Sequence, residues 1–227
     1  MQNITAEYHA LLTAEESLTA LDGAIALARR IAPGAGRARG GRWLDIINGN
    51  GGPGASSSGH TERPNSRRVY EVTSILSALP AEAARHDVPE EQYSLLMDTL
   101  LLVFHHAYFA LLPKAKGDRD SLLKAFRAFG DSLPRLADRF QVAGLVEIEL
   151  GRTDAACEAF GASLAATPSQ EHDFLTRLQM VWSTLMDGGL VSEAFKCLQE
   201  VAPRVTRIDF DEFQGLVAAT FAEAQRR

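Results

Sequence analysis

The sequence predicts an all-α protein, and three observations carry that prediction. From Asn65 onward apolar residues recur at three- and four-residue spacings, the period of one helix face. Strand-like alternation is absent outside a short island, "WLDIIN", at 43–48. Pro80, Pro113, Pro134, Pro168 and Pro203 punctuate the periodic stretches, where a missing N–H and a fixed φ favour helix ends.

Taken in order, Thr13-Ala-Glu-Glu16 has the form of a capping box and predicts a helix over 14–31, preceded by a shorter one and stopped before Pro33-Gly34. Residues 1–33 are therefore expected to form an N-terminal helical hairpin. The segment 34–65 differs in kind. Nine of the chain's 18 glycines lie between 34 and 59, and "GAGRARGGR" and "NGNGGPGASSSG" cannot bury apolar area, so a flexible Gly/Arg/Ser-rich loop is expected. The 43–48 island within it reads as a short strand or a plug docking on the body. Residues 66–227 read as a helical body forming one domain with 1–33. Its helices are expected at 66–79, 89–112, 118–130, 134–149, 153–166, 169–187, 190–201 and 208–225, with Pro89 at a first helical position.

A motif returns at a fixed interval. "GDRDSLLKAF" at 117–126 and "GRTDAACEAF" at 151–160 share Gly, Asp, Ala and Phe at positions 34 residues apart. Pro134 and Pro168 keep the same interval, and Gly189, Ala194 and Leu198 repeat Gly151, Ala156 and Phe160 at a spacing of 38. A period of 34 belongs to helix–turn–helix repeats, whose apolar faces are buried by stacking on the next copy. Over about 100–205 the chain resembles tetratricopeptide-repeat proteins. Gly117 and Gly151 take the turn position, Phe126 and Phe160 the large packing position, and Gly144 and Ala156 also match. The family's Trp at the start of the first helix is missing, Pro113 interrupts the first copy, and the third copy is out of phase. The resemblance implies antiparallel helix–turn–helix units, arranged as an α-solenoid or a compact bundle. It also implies a partner groove lined by Asp138, Gln141, Leu145 and Ile148, and in the looser copy by Gln179, Ser183 and Met186. The family's basic clamp for C-terminal carboxylates has no match here.

Net charge is −6, which does not suit a whole-molecule nucleic-acid binder. The charge is unevenly spread: 27–69 holds eight Arg against Asp45 and Glu62, leaving an acidic remainder. Arg37, Arg39, Arg42, Arg67 and Arg68 are the candidates for contact with an acidic surface or a phosphate backbone. The two cysteines, Cys157 and Cys197, form no CxxC and read as buried free thiols suited to a reducing, cytoplasmic setting. The start "MQNITAEYHALL" lacks the basic run and long apolar core of a leader. "LLMDTLLLVFHHAYFALL" at 95–112 is long enough to span a bilayer, but Asp98, His105 and His106 interrupt it, so a buried helix and no membrane association are expected.

No catalytic constellation emerges. "NGGPGASSSG" resembles the oxyanion segment of serine carboxypeptidases, yet the chain has no GxSxG elbow and no strands to carry one. "GAGRARG" lacks the spacing of a phosphate cradle. His105 and His106 point about 100° apart on a helix and cannot chelate one ion together. No metal or cofactor is expected. The expected function is a non-catalytic protein- or peptide-binding module, an adaptor, assembly factor or chaperone. The alternative is a nucleic-acid-associated or regulatory subunit using the basic segment 34–68.

Overall fold

The computed structural model describes residues 2–32, 65–85, 89–168, 173–206 and 210–226. Every regular element among them is helical, and no strand occurs among them. Of the loop expected at 34–65, all but Asn65 lies outside the described residues, including the 43–48 island and Arg37, Arg39 and Arg42. The chain divides into two compact units, Met1–Phe129 and Gly130–Arg227, a division that falls within the 66–227 segment.

The first unit holds α1 (Gln2–Leu12), α2 (Leu18–Ile31), α3 (Ser66–Arg85), α4 (Glu90–His106) and most of α5 (Arg119–Ser132). The N-cap of α2 is Ser17, not Thr13. Ser17 Oγ accepts from the Ala20 amide at 3.1 Å, whereas the Thr13 hydroxyl donates back to the His9 carbonyl at 3.2 Å and belongs to the end of α1. The predicted boundary at Pro80 is also corrected: α3 runs through it to Arg85. A proline inside a helix removes one ladder bond but does not forbid the helix when neighbouring packing holds it, and Val72, Ile75, Leu76 and Leu79 of α3 are all buried.

α4 is the centre of this unit. Leu96, Met97, Thr99, Leu100, Leu102, Val103, Phe104 and His106 are buried over most of its circumference, against α1, α2 and α3, while Asp98, Leu101 and His105 share a half-buried face. A helix with so wide an apolar face belongs in a core, which explains its membrane-like composition. The stretch Glu90–Lys114 is long and apolar enough to cross a membrane, and most of it is buried inside this unit. The expected single helix 89–112 changes character near its end. Ala107–Leu111 forms a π turn, and Leu112–Lys114, with Pro113, a 3₁₀ turn. α5 packs on this end through rings: Phe104 meets Phe126 edge-on at 5.0 Å, and Phe129 lies 6.2 Å away.

The second unit holds the end of α5, α6 (Leu136–Glu149), α7 (Thr153–Ala166), α8 (Asp173–Asp187), α9 (Val191–Val201) and α10 (Phe210–Arg226). α6 packs on α7, α8 on α9, and α10 against both α8 and α9. The α6–α7 and α8–α9 turns share one design. Gly151 and Gly189 have φ of 71° and 75°, left-handed values that an L side chain resists. At the first, the Gly151 amide donates to Ile148 and the Arg152 amide to Glu147; at the second, Gly189 donates to Met186 and Leu190 to Leu185. These are paired Schellman closures, which satisfy carbonyls left open at a helix end. At the remaining turn of the 34-residue interval the left-handed residue is Lys116 (φ 34°), one place before Gly117.

The α6–α7 pair is unusually close because of Gly144. A Cβ there would stand 2.4 Å from the Phe160 ring, so the ring lies directly on α6 backbone. Aligning the two turn glycines places Trp182 opposite Gly144 in register and Leu198 opposite Phe160. The bulky partner thus switches from the second helix of one pair to the first helix of the next. Trp182 serves α10, donating from Nε1 to Thr220 Oγ1 at 2.8 Å.

Candidate functional site

The residues expected to line a groove divide into two groups. Asp138, Gln141 and Leu145 are buried, while Ile148, Gln179, Ser183 and Met186 are half-buried. Asp138 and Gln141 face inward to Arg177 of α8. Arg177 Nη2 donates to Asp138 Oδ1 at 2.6 Å, Nη1 donates to Gln141 Oε1, and Gln141 Nε2 donates to Met180 Sδ. Arg177 is 9% exposed and its Nε has no hydrogen-bond partner among the described residues. These contacts tie α6 to α8. A buried guanidinium needs a counter-charge close by, and Asp138 supplies it.

The basic candidates that can be placed are also engaged. Arg68 grips Asp22 through two bonds of 2.9 and 2.8 Å, and Arg67 pairs with Glu71 at 3.3 Å. Arg29 approaches Glu71 at 3.9 Å, and Arg30 meets Glu7 at 2.6 Å. These arginines join α1, α2 and α3, which leaves them less available to an external anion.

An open cleft, which sequence reasoning missed, lies in the second unit between α7 and α9. Its volume is about 610 Å³. Phe160 and Leu164 of α7, Leu185 of α8 and Val201 of α9, all almost fully buried, form its apolar floor. The α7 wall is made of small residues, Cys157, Gly161, Ala162 and Ala165, and a Cβ on Gly161 would meet nothing within 4 Å. Asp154 and Glu158 on one side and Glu193 and Glu200 on the other put four carboxylates around it. Lys196 also lines it. Arg204 closes one end but is occupied: it donates to the Leu164 and Thr167 carbonyls at 2.7 and 2.5 Å and lies 4.8 Å from the Phe174 ring centroid.

Both cysteines line this cleft as free thiols. Burial pushes the Cys197 thiol up to about 12, with Glu200 adding to the effect. Burial also raises Cys157, assisted by Glu193 and Asp154. A thiol held protonated is a poor nucleophile and a poor metal ligand, so here these side chains act as small apolar surface. Among the described residues, no three His, Cys, Asp or Glu side chains gather as a metal site. His106 is buried in the first unit, its pKa lowered by burial and partly restored by the Leu11 backbone and Glu16.

No protein-family model, curated protein or solved structure matches this chain.

Proposed function

We propose that the chain is a non-catalytic, cytoplasmic protein-binding module built from tetratricopeptide-like helix pairs, α6–α7 and α8–α9. The matched Schellman turns at Gly151 and Gly189 and the glycine-to-ring packing of Gly144 on Phe160 support the repeat reading. The observation that carries the binding reading is the α7–α9 cleft: open, apolar within and walled by small side chains. Such a surface offers packing area to a partner.

The test is site-specific photocrosslinking in lysate of the native host. A benzophenone amino acid replaces Lys196, exposed at the rim of the cleft, in one variant and the exposed Ala218 of α10 in another. A discrete protein captured from 196 and not from 218 is the expected result. Equal capture from both positions, or none from 196, overturns the reading.

A further inference from the structure

We propose that the occupant of the α7–α9 cleft is one face of an amphipathic, cationic helix of a partner protein. This rests on the reading of the chain as a protein-binding module and specifies the chemistry of that partner.

Shape argues for a helix edge. From Asp154 to Ala165 the cleft follows α7 for about 16 Å at 1.5 Å per residue, three turns of a helix. Spread over that length, 610 Å³ gives a channel narrower than a whole helix, whose diameter with side chains is about 10–12 Å, but wide enough for a row of its side chains. Cys157, Gly161 and Ala165 stand four residues apart, so they form one i±4 row on α7. A row of small side chains is a groove into which the ridge of a third helix can settle, and the open space above Gly161 lies in the middle of it.

Charge argues for a cation. Asp154, Glu158, Glu193 and Glu200 flank the apolar strip from both sides, and none of the four carboxylates makes a hydrogen bond or ion pair with another described residue. Arg204 is committed to the end of α7, so Lys196 is the remaining opposing charge among the lining residues. A helix with apolar residues at i, i+3, i+4 and i+7 and Lys or Arg on their flanks would lay its stripe along Cys157, Gly161, Ala162 and Ala165, above the buried floor of Phe160, Leu164, Leu185 and Val201. Its cations would then lie beside the carboxylates.

The test uses the full chain and three fluorescein-labelled 15-residue peptides of Leu with Lys or Glu, followed by fluorescence anisotropy. One places Leu at helical spacing with Lys elsewhere; one replaces each Lys by Glu; one scrambles the Lys/Leu order. The helical Lys peptide should bind at least tenfold tighter than either control. Gly161→Trp should weaken it at least tenfold by occupying the groove. Glu158→Lys with Glu200→Lys, both at exposed positions, should reverse the preference between the Lys and Glu peptides. Equal binding of the scrambled peptide, or helical-peptide binding unchanged by the charge-reversed variant, overturns the inference. Capture from position 196 combined with peptide binding that ignores both variants would retain the module reading and reject only the cationic helix. An absence of capture from 196 would reject the reading beneath it.

Discussion

Three glycines of the second unit illustrate how one residue type serves unrelated physical ends, and each predicts a mutational effect with a different cause. Gly144→Ala drives a methyl into the Phe160 ring and should destabilise by about 1–3 kcal/mol, the usual effect of overpacking. Gly151→Ala meets no atom within 4 Å yet must hold φ at 71°, so it should lose about 1–2 kcal/mol for conformational reasons alone. Gly161→Ala meets neither obstacle inside α7 and should stabilise by about 0.8–1 kcal/mol. Urea denaturation of the three variants checks the pattern of two losses and one gain. The thiols give a second residue-scale test. In native protein at pH 8, Cys197, with its pKa near 12, should react with an aromatic disulfide reagent far more slowly than it does in denaturant.

At the scale of the element, the buried Asp138–Arg177 pair holds α6 to α8. Asp138→Ala strands a guanidinium that already has one unpartnered nitrogen, and should cost about 3–5 kcal/mol in equilibrium unfolding. The exposed pairing of Arg68 with Asp22 between α2 and α3 is different. Arg68→Ala should shift stability by less than about 1 kcal/mol, because water and salt already screen that pair. Most elements were legible from apolar spacing and from proline, and α7 is found at 153–166, the range expected from sequence. The start of α2 was less so, since Thr13 and Ser17 both precede plausible first turns and only the hydrogen bonds distinguish them. Pro80 misled because helix termination by proline is a local tendency, and buried neighbours on α3 override it.

For the molecule as a whole, pH should act through a buried base. His106 has its pKa lowered by burial, so the unfolded chain binds the proton more readily than the folded one. Its stability contribution is full above the unfolded value of about 6.5 and is lost as pH falls below it. Unfolding free energy should therefore fall from pH 7.5 towards pH 5, and His106→Phe should flatten that slope. An unchanged slope in the variant would assign the dependence to other groups. The candidate site was less legible than the fold, for a physical reason. A cleft is a gap between elements distant in sequence, and Glu158 and Glu200 reveal their proximity to it only after α7 and α9 are placed. The small residues Cys157, Gly161 and Ala165 at four-residue intervals were the available sign. The family resemblance put Asp138 and Gln141 on a partner groove, and nothing local announces their buried contact with Arg177, more than thirty residues away.

The exchange of bulk between Gly144–Phe160 and Trp182–Leu198 limits how such a chain can lengthen or shorten. Copying the α6–α7 hairpin into the place of α8–α9 would bring a second glycine to the position where Trp182 now reaches Thr220, leaving α10 without that anchor. The two hairpins share a turn but not a fit, so duplication alone yields an ill-matched seam. Any longer descendant would need a compensating change at the final helix in the same step.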